Sequence, residues 1–153
     1  ASGVVAGLVA ITPAAGFAGP MGAIVLGLVV SPICLFFVSV VKNMLKYDDS
    51  LDVFGIHCVG GIIGAIATGI LVDPALGGAG IVDYTAGGAA VYPGLVPQVI
   101  AQAKGVLTTV LWSGIGSTIV FGLIKLTIGL RVKEEVEREG LDIAEHGERA
   151  YNM

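Results

Sequence analysis

Charge is what this sequence lacks most. No Asp, Glu, Lys or Arg occurs between Ala1 and Val41, between Val53 and Val72, or between Gly105 and Ile124. Of its 153 residues, 13% are charged and 55% hydrophobic, which leaves too few polar groups to cover a soluble globule. Each gap is long enough for a helix rising about 1.5 Å per residue to cross a hydrocarbon core of roughly 30 Å. The short alternating segments of a membrane barrel are missing too, so the fold class is an all-α integral membrane protein. Cysteine is scarce. Cys34 and Cys58 both lie in apolar stretches and are expected to be free thiols packed as small apolar groups. No basic face exists to attract nucleic acid: the net charge is −4, and residues 131–153 hold four basic and seven acidic residues. No nucleophile–base pair or cofactor loop argues for an enzyme or a cofactor.

What is present divides the chain into membrane helices over 1–130 and a soluble tail over 131–153. The chain opens within an apolar pattern, with neither Met nor a charged leader, so it is expected to be the C-terminal part of a longer protein. Ala1–Thr12 reads as the end of one span. "TPAAGFAGPMG", residues 12–22, reads as a tight turn, and Met21–Val41 as a full span with Pro32 as a kink. Residues 42–50, "KNMLKYDDS", form a polar connection, and Val53–Val72 form the next span. A long glycine-rich loop follows over 73–94. The last span ends near Ile128, and its start near Pro97 predicts a long, tilted helix. Lys42 and Lys46 at one connection, and Lys125, Arg131 and Lys133 after the last span, fall on one side, which predicts a cytoplasmic C-terminus. Lys104 is then an outer-side exception that snorkels to the interface. Trp112 is expected to pack, and Lys125 to anchor at the interface. In the tail, Glu134 and Arg138 are spaced for a helical pair, and Gly140 for a helix stop.

The stretch "LDVFGIHCVGGIIGAIATGIL" carries a histidine in an otherwise apolar span. His57, Gly60, Gly61, Gly64 and Thr68 fall on one face of an ideal helix. The Gly60–Gly64 step allows close helix approach. It could equally leave an open lane beside His57, so packing and pathway both stand at this point. Ionisable residues inside spans often line pathways. A neutral imidazole offers one donor and one acceptor, enough to hold a small solute or relay a proton. With no other ligand at suitable spacing it makes a poor metal site. Rise alone puts His57 about 8 Å above Asp52, which itself reads as the helix N-cap or as part of a pore mouth.

"DVFGIHCVGGIIG", "ITPAAGF", "TVLWSGIG" and "GLRVKEEVEREGLDIAEHGERAY" resemble the C-terminal part of the ammonium transporter family, which includes the Rh proteins. The resemblance covers nearly the whole chain and is weakest over 73–103. It implies an eleven-span fold, of which this chain is the end of span 8, spans 9–11 and the tail. It also implies a homotrimer in the cell membrane with one pore per subunit. His57 matches one of two pore histidines that hydrogen-bond ammonia and carry its proton. Asp52 matches the aspartate preceding that histidine. A chain with only one of the pair is expected not to conduct alone. The tail, through Gly140, Leu141, Asp142, His146, Gly147 and Tyr151, would couple subunits and assist docking of a trimeric PII signalling protein. Two alternatives remain: an ammonium sensor signalling through its tail, and a non-conducting truncated remnant.

Overall fold

The computed structural model describes residues 1–149. Tyr151, expected in the regulatory tail, lies outside the described residues. The chain divides into two compact units, Ala1–Thr109 and the part from Val110 onward.

In the first unit, α1 (Ser2–Ile11) ends in a 3₁₀ turn at Thr12–Ala14, where Pro13 supplies a fixed φ. Helix α2 starts at Pro20, whose missing N–H is harmless in a first turn. It runs through a wide π-turn at Phe37–Val41 and continues as one rod, Pro20–Leu45, of 26 residues. The helix thus runs past Val41, where the span is expected to end. Lys42 is helical, and the rod stops where Lys46 turns left-handed (φ 53°). Pro32 sits inside α2 without ending it. Helix α3 (Phe54–Leu71) also contains a π-turn, at Phe54–Cys58.

Small side chains set the core. Ala6, Ala10 and Ala14 recur every four residues along α1 and the turn after it, and all three are buried. Leu26, Val30 and Cys34 do the same on α2, and Gly60, Gly64 and Thr68 on α3. Each set is one helix face, and the three faces meet. The Ser31 hydroxyl adds a hydrogen bond of 2.8 Å to the Gly3 carbonyl between α2 and α1. Cys34 is buried and Cys58 exposed, and both are free thiols. Cys58 thus departs from the expected packing.

The 73–94 segment is more ordered than a loop, and it makes the fold mostly rather than wholly helical. A 3₁₀ turn at Pro74–Leu76 is capped by the Asp73 carboxylate, which accepts from the Ala75 N–H. A hairpin follows, with β1 (Ile81–Asp83) antiparallel to β2 (Gly88–Ala90) and Asp83 opposite Gly88. The Asp83 carboxylate accepts from the Thr85 hydroxyl at 2.6 Å and from the Thr85 and Ala86 N–H groups. These bonds, the hydroxyl's foremost, favour the charged form and hold the Asp83 carboxyl below its ordinary pKa. Because the folded pKa is the lower one, the turn's stabilisation is complete above the unfolded value. It is lost as pH falls through the folded one. The Thr85 amide resonance is expected to titrate with a midpoint below that of an ordinary aspartate, and Asp83→Ala should abolish that titration. Beyond the hairpin, the Tyr92 hydroxyl donates to the Gly69 carbonyl at 3.2 Å, tying the segment to α3.

Helix α4 (Leu95–Thr127) has 33 residues, about 50 Å of helix, more than a bilayer core needs. It begins two residues before the expected Pro97. Trp112, expected to pack, is 82% exposed. In the second unit, α5 (Glu134–Glu139) carries the Glu134–Arg138 pair at 2.5 Å. Arg131 forks onto both Glu137 carboxylate oxygens at 2.9 and 3.1 Å. Gly140 ends α5 at φ 105°, a backbone state that disfavours other residues, and α6 (Leu141–Ala144) follows. His146 and Gly147 are exposed beyond it.

Candidate functional site

His57 stands in the π-turn at the start of α3 and is exposed. It lines an open groove of about 620 Å³ with Gly61. The opposite wall is α1 and its terminal turn: Val5, Leu8, Val9, Thr12 and Pro13. The Thr12 hydroxyl is engaged with the Leu8 carbonyl at 2.8 Å, so it offers the groove little as a donor. Among the described residues none hydrogen-bonds the imidazole, and the groove around it is otherwise apolar. A small solute there would find one polar partner.

The other residues of the expected stripe separate. A Cβ on Gly60 would sit 3.4 Å from both Cys34 Sγ and Val9 Cγ1. On Gly64 it would sit 2.8 Å from Ala10 Cα, and nearer still to the Ala10 carbonyl oxygen. Thr68 is buried, its hydroxyl donating to the Gly64 carbonyl at 2.8 Å. These three face the helix packing. A Cβ on Gly61 would meet no described residue within 4 Å, and Gly61 lines the groove with His57. The common-face expectation assumed 3.6 residues per turn, and the i→i+5 bonding of the π-turn breaks that register just where His57 sits.

Asp52 does not cap α3 with its side chain. It adopts φ 56°, and its carboxylate forms a 2.7 Å ion pair with Lys42, both side chains about one-quarter exposed. The capping group is Asp49. Its Oδ1 accepts from the Val53 N–H and its Oδ2 from the Phe54 N–H, both at 2.8 Å. Lys42 Nζ also donates to the Asp49 carbonyl. Sequence reasoning chose the aspartate adjacent to the helix. The one three residues earlier, in "YDDS", reaches the orphan N–H groups because the chain turns between them. In the sequence Lys42 marks only topology; its pairing with Asp52 has no local signal. Among the described residues, no group of three or more His, Cys, Asp or Glu side chains could hold a metal ion.

Three helices long and apolar enough to cross a membrane, preceded by a shorter apolar one, make this a multi-pass helical membrane protein. Comparison with known proteins gives the particular kind. The profile of the Ammonium Transporter Family matches residues 1–151, and the chain belongs to that family. It is 47% identical to an ammonium transporter of Aquifex aeolicus, over 99% of this chain and 34% of that one. It is 43% identical to a putative ammonium transporter of Methanothermobacter thermautotrophicus, over 99% and 36%. Against the ammonium transporter Amt1 of Archaeoglobus fulgidus it is 38% identical, over 98% and 36%. The chain thus spans about a third of the length of these relatives.

Proposed function

We propose that this chain forms part of a transmembrane path for ammonium, with His57 as the polar group along an otherwise apolar lane. The observation that carries the reading is the exposed imidazole on the wall of the α1–α3 groove. Ammonium is mostly protonated at neutral pH, and a bare cation at the bilayer centre is costly. A lane of aliphatic side chains suits neutral ammonia instead. The imidazole offers ammonia one acceptor and one donor and can pass a proton on. The clustering of Lys42, Lys46, Lys125, Arg131 and Lys133 supports a cytoplasmic C-terminus. Asp52, held by Lys42, acts in this reading on the cytoplasmic approach rather than as a free cation ligand. The resemblance adds the homotrimer, the second pore histidine and a PII partner for the tail, where Gly140, Leu141, Asp142, His146, Gly147 and Tyr151 would act.

The test is ammonium uptake by proteoliposomes containing the complete protein. His57→Ala is expected to lower uptake by about a hundredfold, the scale of a positioned proton-transfer group, with the folded yield maintained. Uptake equal to that of the unaltered protein would refute the reading.

A further inference from the structure

A polar clamp outside the groove joins the end of α2 to the start of α3. Lys42, at the end of α2, holds two groups of the α2–α3 connection at once: the Asp49 carbonyl and the Asp52 carboxylate. Asp49, held in this way, spends both carboxylate oxygens on the first free N–H groups of α3. Asp52 contributes its carbonyl to the Ile56 N–H at 2.9 Å, inside the wide turn. His57 is the next residue. A π-turn is a poorly populated geometry, and Asp52 at φ 56° is strained for a residue with a Cβ. Both therefore need surroundings that over-determine them, and the clamp supplies these on the polar side. On the apolar side Gly55 lets the two wide turns touch, since a Cβ there would sit 2.7 Å from Val38 Cγ2.

We propose that Asp49 and Lys42 are positioning residues for His57: by holding the π-turn at Phe54–Cys58 they set the side of α3 on which the imidazole stands, and so its access to the groove. Without the clamp the turn relaxes toward 3.6 residues per turn, and His57 rotates toward the face occupied by Gly60 and Gly64. The inference deepens the transport reading and rests on it for its importance. The geometry, though, can be tested apart from transport.

The experiment measures carbethoxylation of His57 by diethyl pyrocarbonate, read on its peptide by mass spectrometry, in the complete membrane-embedded protein. Asp49→Asn keeps one acceptor, Asp49→Ala keeps none, Lys42→Met removes the clamp's cation and Lys42→Arg retains it. The His57 modification rate is expected to fall in the order Lys42→Arg, Asp49→Asn, Asp49→Ala, with Lys42→Met near Asp49→Ala. Ammonium uptake should follow the same order, down to a loss on the order of tenfold from misplacement alone. A role confined to stability would lower the folded yield but leave the rate in the folded protein unchanged, and that result overturns the proposal. Asp49→Asn and Lys42→Met still decide the matter if Asp49→Ala fails to fold. If rates shift as expected while His57→Ala transports normally, the clamp stands and the transport reading falls.

Discussion

Gly64→Val is expected to separate α3 from α1 and to collapse the folded yield. Even the first carbon of the new side chain would lie 2.8 Å from both Cα and the carbonyl carbon of Ala10. The obstacle is backbone, so no rotamer change on the neighbour relieves it, and α1 and α3 must move apart. Ala6, Ala10 and Ala14 then lose contact with the α3 face, and the burial that holds three short-chain faces together goes with it. The cost lies at or above the upper end of the roughly 1–3 kcal/mol typical of overpacked cores. Gly64→Ala should show a smaller loss of the same sign. The measurement is the thermal unfolding midpoint and monodisperse yield in detergent. A Gly64→Val protein with an unchanged midpoint would mean that α1 and α3 do not pack through these residues.

Gly61→Leu is expected to have the opposite signature: a normal fold with uptake near that of membranes lacking the protein. A Cβ at Gly61 meets no described residue within 4 Å, so the side chain has room and displaces none of them. The room it fills is the groove beside His57. Leucine also replaces a poor helix former and adds no polar group, so the midpoint should hold steady or rise slightly. Uptake and unfolding midpoint measured on one preparation give the answer. Normal uptake with leucine in place would show that solute does not pass along the α1–α3 groove. Two glycines three residues apart are thus expected to give opposite results in the two measurements.

The two glycines look alike in the sequence. Both sit in "HCVGGIIGAI", and both fall within the small-residue stripe of an ideal helix. Only the fold assigns Gly64 to the contact with Ala10 and Gly61 to open space. The aspartates behave the same way. The sequence points to Asp52 as the cap, and only the chain path shows that the Asp49 carboxylate reaches the free N–H groups while Asp52 pairs with Lys42. The hairpin at Ile81–Ala90 was equally hidden, because three-residue strands leave no readable alternation and glycine dominates the region. The π-turns had no signal at all. They are i→i+5 bonded geometries at Phe37–Val41 and Phe54–Cys58 that no residue pattern in the sequence marks.

What the sequence determined by itself is the part governed by composition and one-dimensional spacing. Uncharged runs of bilayer length require helices in a membrane, the proline- and glycine-rich stretch at 12–22 separates two of them, Gly140 ends one, and the Glu134–Arg138 step makes a helical pair. Each follows from a cost that a short stretch of chain incurs wherever it lies: unsatisfied backbone in lipid, a missing N–H, a missing Cβ, a fixed helical rise. The tertiary structure decided which glycine packs against α1 and which lines a groove, which aspartate caps, and that His57 shares that groove with α1. Those outcomes depend on the angle at which one helix meets the next. That angle is set by small side chains far apart in sequence, Ala10 and Gly64 above all, so no local pattern encodes it.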